Sequence, residues 1–189
     1  MTGAHHVSGT DRIAEVVRAR ALPLDDIVVN VQGDEPMMPP AVIAKLAAAL
    51  ETRPATDIAT AVAPISTLAE FLDPNCVKAV RGLDGNALYF SRAPVPWPRE
   101  AIVDGRPTAY DGAWRHIGIY AYRVSSLLKF SAWAPTALEV AEKLEQLRAL
   151  EHGMSIHLTA LVHAPPAGVD TPEDLERVRA ELTGGHGPR

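Results

Sequence analysis

The run "DIVVNVQ" at residues 26–32 limits most what this chain can fold into. It is short, β-branched and not alternating, so it offers no polar face to water, and such a strand is covered on both sides, as in the parallel sheets of α/β proteins. "DIATAVAPI" at residues 57–65 repeats the signature. Between them, "PPAVIAKLAAALETR" reads as a helix with proline in its first turn, where the missing N–H does no harm. The β, α, β order is a crossover unit, and such connections are right-handed almost without exception. The fold class is therefore α/β.

Further elements follow the same logic. "SGTDRIAEVVRARA" is a helix with Ser8 or Thr10 as cap and Ile13, Val16 and Val17 at helical spacing. From Cys76 the character changes: "CVKAVRGLDGNALYFSR" is two strands around a tight turn at Asp84 and Gly85. A proline-rich loop, "APVPWPREAIVDGRP", leads to the strand "HIGIYAYRV". "TALEVAEKLEQLRALEHG" reads as one continuous helix, with Leu138, Ala141, Leu144, Leu147 and Leu150 on its apolar side and Gly153 at its end. "SIHLTAL" is a strand, and "DTPEDLERVRAEL" is a helix capped by Thr171 with Pro172 at its first position.

With 189 residues and no linker, the chain fits one domain. Its net charge of −5 argues against the broad basic face that a nucleic acid polymer requires. No apolar run is long enough to insert into a membrane. Cys76 is the only cysteine, which excludes an intrachain disulfide and reads as a small buried hydrophobe. "MTGAHHVSGTDR" has neither a charged nor an apolar leader region, and a cytoplasmic location is expected.

In an open α/β sheet, ligands sit outside the carboxyl ends of the parallel strands. Gly33, Asp34 and Glu35 come just there: a metal or substrate site is one reading, a polar turn the other. Asp170 precedes a helix, where it is either a cap or, with Asp34, half of a pair sharing one cation. Ser8, Gly9 and Thr10 lie ahead of a helix, where N–H groups favour anions or simply accept a cap. Arg92, Arg115 and His116 flank strands and could clamp a carboxylate or face solvent. Glu142, Glu145 and Gln146 are polar positions of an amphipathic helix.

Taken in order, "HHVSGTDR", "VVNVQGDEPMMPP", "LYFSRAPVPW", "RHIGIYAYR", "LEQLR" and "GVDTPEDLERVR" give the chain a resemblance to the 3-deoxy-manno-octulosonate cytidylyltransferases over nearly its whole length. The resemblance implies a three-layer α/β sandwich of the nucleotide-diphospho-sugar transferase type, with a β-rich insertion by which two subunits pair, here residues 76–135. It implies transfer of the cytidylyl group from CTP to the anomeric hydroxyl of 3-deoxy-manno-octulosonate (Kdo), releasing pyrophosphate, with Mg2+, on the route to lipopolysaccharide. By the same resemblance Asp34 and Asp170 are the catalytic metal ligands. Gln32, Arg92, His116, Tyr120, Glu145 and Gln146 line the sugar-acid pocket, and Ser8, Gly9 and Thr10 lie by the nucleotide.

The family's phosphate loop, of the pattern "ARxxSxRLPGKP", has no counterpart in these 189 residues. The expectation is an N-terminally truncated chain, a single incomplete nucleotidyltransferase domain over 1–189. A catalytically silent sugar-acid-binding or dimerisation module is then the alternative to an enzyme.

Overall fold

In chain order the elements are α1 (Gly9–Ala19), β1 (Ile27–Asn30), α2 (Pro40–Glu51), β2 (Ile58–Pro64), α3 (Leu68–Leu72), β3 (Lys78–Arg81), β4 (Ala87–Ser91), β5 (Ile102–Val103), β6 (Arg106–Pro107), β7 (Trp114–Arg123), α4 (Val124–Phe130), α5 (Ala137–Glu142), α6 (Gln146–Glu151), β8 (Ile156–Ala160) and α7 (Pro172–Gly184). This is a computed structural model; it describes residues 2–184 except 4, 5, 7, 111 and 170.

The long strand β7 carries the sheet. β2 runs antiparallel along one side of it, from Ile58 opposite Tyr122 to Pro64 opposite Trp114. The other side is divided: β1 pairs with residues 120–123 and β3 with Trp114 and Arg115, both antiparallel. β8 lies parallel to β2, and β4 antiparallel to β3. β1 and β2 are thus parallel, as a crossover requires, but β7 lies between them, a neighbour that local pattern alone does not reveal. Of residues 76–135, β3, β4 and β7 belong to this sheet and β5 pairs with β6 in a separate ribbon.

Alternate residues of β2 enter two cores. Ile58 and Val62 pack with Ala14 and Val17 of α1, Leu127 and Phe130 of α4 and Leu147 of α6. Ala59, Ala61 and Ala63 face Leu46 and Leu50 of α2 together with Ile119 and Ala121. Helices therefore cover both sheet faces, which explains why β2 is apolar without alternation. Cys76 is buried with Phe71 and Ile65, and burial pushes its thiol pKa up, in keeping with an inert hydrophobe. Gly85, at the hairpin tip, has φ 87°, and a Cβ there would lie 2.8 Å from His157 Cε1. Its carbonyl accepts from Leu158 N–H at 2.9 Å, so the tip closes against β8.

Ser8 caps α1, accepting from Asp11 N–H at 3.2 Å. Thr171 and Asp174 cap α7 reciprocally, through Asp174 N–H to Thr171 Oγ1 at 3.2 Å and Thr171 N–H to Asp174 Oδ2 at 3.1 Å. The single helix expected over residues 136–153 is two helices. Lys143 takes a left-handed conformation, φ 54° and ψ 44°, after α5. Glu142 is held there from outside the helix: Ser91 Oγ donates to its carboxylate at 2.6 Å, Arg92 N–H at 2.9 Å, and Arg92 Nε donates to its carbonyl at 2.8 Å.

A left-handed lysine is disfavoured where glycine is not. Lys143→Gly is expected to raise stability by about 0.5–1 kcal/mol in urea unfolding. An unchanged or lowered midpoint would show that the lysine side chain, and not the backbone turn, sets the break.

Candidate functional site

β1 leaves the sheet into a turn closed by Glu35 N–H to Gln32 carbonyl at 3.1 Å and Met38 N–H to Glu35 carbonyl at 3.2 Å. Met38 is buried in the second core and anchors the turn. The segment before α7 lies directly on it: Val169 N–H donates to the Asp34 carbonyl at 2.7 Å. A Cβ on Gly168 would lie 2.7 Å from that carbonyl oxygen and 3.2 Å from the Glu35 carboxyl carbon, so only glycine fits. Arg177 of α7 donates to the Gly168 carbonyl at 3.0 Å and holds the segment in place. Asp170 itself lies outside the described residues.

A cavity of about 220 Å³ opens beside β7, lined by Gln32, His116, Tyr120, Glu145 and Gln146 with Tyr122 and Phe130 among its walls. Five of the residues singled out in the sequence thus meet around one space. The break at Lys143 accounts for two of them, because it redirects the chain so that Leu144 enters the core while Glu145 and Gln146 reach the cavity. Gln146 is buried, and its Nε2 has no hydrogen-bond partner among the described residues. A buried amide without a partner is costly, and a ligand acceptor would satisfy it.

Burial pushes the His116 pKa down to about 3, so the ring is neutral near pH 7. Without a ligand it is a polar contact and not a cation. Its Nε2 lies 3.0 Å from Thr60 Oγ1, and the Phe90 ring meets it edge-on at 5.1 Å. Burial likewise raises the Tyr120 and Tyr122 pKa values, which keeps both phenols protonated.

Glu145 also borders a second, larger cavity of about 690 Å³, with Ser8, Asp11, Trp133, Lys143 and Arg148. Thr10, buried in α1, donates to Glu145 Oε2 at 2.8 Å. Gly9 packs towards Asn30, whose Nδ2 would lie 3.6 Å from an added Cβ. The Ser8–Thr10 turn and the smaller cavity therefore meet at one carboxylate. Arg148 fixes the same region, pairing with Glu139 through two nitrogens, donating to the Trp133 carbonyl at 3.1 Å and standing 4.8 Å above the Phe130 ring.

Arg92 is not among the residues that line the smaller cavity. Its guanidinium donates to the carbonyls of Glu142 and Pro74, so it acts on the site by fixing the end of α5. Sequence reasoning missed Tyr122, Thr60, Arg148 and Gly168. Period two in "GIYAYR" could have paired Tyr122 with Tyr120, whereas the other three depend on contacts distant in sequence.

Asp34 is exposed on the turn after β1. Among the described residues no group of three or more His, Cys, Asp or Glu side chains could hold a metal ion. A carboxylate such as that of Asp34 offers the hard oxygens that a divalent cation takes while it keeps its waters.

A family model described as Cytidylyltransferase matches residues 1–156. The chain is 52% identical over 185 residues to a 3-deoxy-manno-octulosonate cytidylyltransferase of Alcanivorax borkumensis, covering 97% of this chain and 74% of that one. It is 52% identical over 186 residues to the protein of that name from Pseudomonas syringae pv. syringae, covering 97% and 73%. A solved structure of CMP:2-keto-3-deoxy-manno-octonic acid synthetase complexed with CTP aligns with a TM-score of 0.85 at 40% identity, over 98% of this chain and 72% of that one. The structure of 4-diphosphocytidyl-2C-methyl-D-erythritol synthase aligns with a TM-score of 0.52 at 12% identity, over 94% and 68%, a likeness of fold alone.

The neutral His116 has a consequence for stability. Unfolded, it takes up a proton below about pH 6.5, whereas the folded ring does so only near pH 3. His157 is shifted the same way, by burial and by Arg53 and Arg81. The unfolded chain then binds more protons below pH 6.5, so stability falls as pH drops, by up to about 1.4 kcal/mol per pH unit for His116, with His157 adding in the same direction. His116→Gln is expected to flatten the decline between pH 7 and 5 in urea unfolding. Equal slopes for both proteins would overturn the assignment of a neutral ring.

Proposed function

This chain belongs to the cytidylyltransferase family, and from that premise we propose that it transfers the cytidylyl group of CTP to the anomeric hydroxyl of Kdo. The hydroxyl oxygen attacks the α-phosphorus, the bond to the β-phosphate breaks, and pyrophosphate leaves with release of the hydroxyl proton. The observation that carries this reading is the cavity in which Gln32, His116, Tyr120, Glu145 and Gln146 converge, with an unpartnered donor on Gln146 and a shared wall at Glu145. Its polar groups and its size suit a polyhydroxylated acid. The alternative of a catalytically silent binding module is not favoured, since the relatives are named as transferases.

In this reading Gln32, Tyr120 and Gln146 orient the sugar acid, Glu145 accepts from its hydroxyls, and Arg92 positions α5 beneath them. Ser8, Gly9 and Thr10 border the nucleotide. Cytidylyltransferases of this kind generally use a divalent metal; we take it to be Mg2+, held by Asp34 and Asp170. The ion would neutralise triphosphate charge and lower the pKa of the attacking hydroxyl. The protein's own contribution is alignment: in-line displacement at phosphorus depends on placing both reactants, and a walled cavity fixes one of them.

Leu88, Trp97 and Val103 are large apolar residues exposed on the 76–135 segment, and we propose that this segment pairs two subunits about a two-fold axis. Among the described residues no helix is long and apolar enough to cross a membrane, and the use of CTP suits the cytoplasm.

Pyrophosphate release measured with CTP, Kdo and Mg2+ tests the reaction. Turnover is expected to require both substrates, and Asp34→Asn is expected to lower kcat about 100-fold or more with little change in stability. Gln146→Leu is expected to raise KM for Kdo about tenfold and to leave KM for CTP within about twofold. Failure of the unaltered protein to release pyrophosphate with any divalent ion would overturn the assignment. Light scattering is expected to give twice the chain mass, and a monomer would overturn the pairing.

A further inference from the structure

Thr60 is fully buried at the point where the β2–β7 register shifts, between Thr60 opposite Tyr120 and Ala61 opposite Ile117. Its hydroxyl meets three groups. Oγ1 lies 2.8 Å from the Ile119 carbonyl oxygen, 3.1 Å from the Ile117 carbonyl oxygen and 3.0 Å from His116 Nε2. A hydroxyl has one proton and two lone pairs, and a carbonyl can only accept. Two oxygens 2.8 Å apart with no proton between them repel, so the proton points at a carbonyl. The remaining bond, to His116, must then run the other way: Nε2 carries the proton and Thr60 accepts it.

A neutral imidazole has one protonated nitrogen. With Nε2 protonated, Nδ1 is a bare lone pair, and it makes no hydrogen bond among the described residues. We propose that Thr60 is a positioning residue that locks His116 in the Nε2–H tautomer, so that Nδ1 meets the bound sugar acid as an acceptor. The consequence for binding rests on reading this cavity as the sugar-acid site; the tautomer does not. An acceptor at that point takes a ligand hydroxyl and rejects a carboxylate, which is directed instead to the amide donors of Gln146 and Gln32. His116 thereby sets which end of the acid lies against β7, which is a matter of orientation and not of charge.

Replacing Thr60 by valine keeps the shape and removes the acceptor. Nε2–H would then face a methyl group and lose its acceptor, so the proton is expected to move to Nδ1. The experiment is 15N NMR of the full chain labelled at histidine, with the His116 signals identified by their loss in His116→Gln. Expected for the unaltered protein and for Thr60→Ser is a protonated-type Nε2 signal and an unprotonated-type Nδ1 signal; for Thr60→Val the two exchange character. In turnover, Thr60→Val is expected to raise KM for Kdo about tenfold with kcat within about threefold, and Thr60→Ser to stay within about twofold of the parent. A protonated Nδ1 in the unaltered protein, or no change of tautomer in Thr60→Val, overturns the proposal. So does a loss in Thr60→Ser as large as that in Thr60→Val, which would assign the effect to packing. Should the unaltered protein show no turnover, the functional reading fails while the NMR signals still decide the tautomer.

Discussion

Everything near the cavity depends on β7 being paired on both sides. At Tyr120 it has Thr60 of β2 on one flank and Asn30 of β1 on the other. A strand so enclosed satisfies its backbone groups within the sheet and leaves its side chains to pack or to bind. β1 ends at Asn30, and Gln32 follows two residues later at the cavity. His116 and Tyr120 come from β7 itself. The register shift at Thr60 interrupts the ladder between them, and bulges of this kind re-aim side chains next to binding sites.

The opposite wall depends on charge. Arg148, with its side chain only 9% exposed, would be expensive to bury alone, and the Glu139 carboxylate beside it, the Trp133 carbonyl and the Phe130 ring offset that cost. Hydrogen bonding to Glu139 pushes the Arg148 pKa up still further, so the cation is permanent. Such a group fixes direction more than it adds stability. It ties the start of α5 to α6 across the left-handed turn at Lys143, while Ser91 and Arg92 secure the end of α5 from the other side. The break in the helix is held at three points, and Glu145 and Gln146 are delivered to the cavity by that arrangement.

The layered α/β character was legible because burial on both faces leaves a mark in composition: β2 is apolar at consecutive positions, and the cores on its two sides show why. Caps at Ser8 and Thr171 were legible because capping is local chemistry. The helix break was not. Leu144 and Leu147 continue an unbroken helical period, and the force that interrupts it comes from Ser91 and Arg92, about fifty residues away. Of the site, Gln32, His116, Tyr120, Glu145 and Gln146 could be named from motifs. Thr60 and Arg148 could not, since a threonine in a strand and an arginine in an amphipathic helix carry no local sign of what they hold. Arg92 could be named, but its position, against carbonyls of Glu142 and Pro74, follows only from the fold.

A carboxylate in the wall of a cavity proposed to take a sugar acid looks like a contradiction until its partners are counted. Glu145 receives the Thr10 hydroxyl at 2.8 Å and stands 3.5 Å from Arg148 Nη2, so its charge is answered from behind. What remains on the cavity side is acceptor capacity, suited to sugar hydroxyls and hostile to a second carboxylate. With His116 neutral and the two tyrosines protonated, a ligand in the proposed site would be oriented by donor and acceptor pattern more than by attraction to net charge. The same carboxylate borders the larger cavity and is held by Thr10, next to the cap of α1. Any shift of the Ser8–Thr10 turn on filling that larger space would therefore be felt at the smaller one through a single hydrogen bond, a short and direct route between the two cavities.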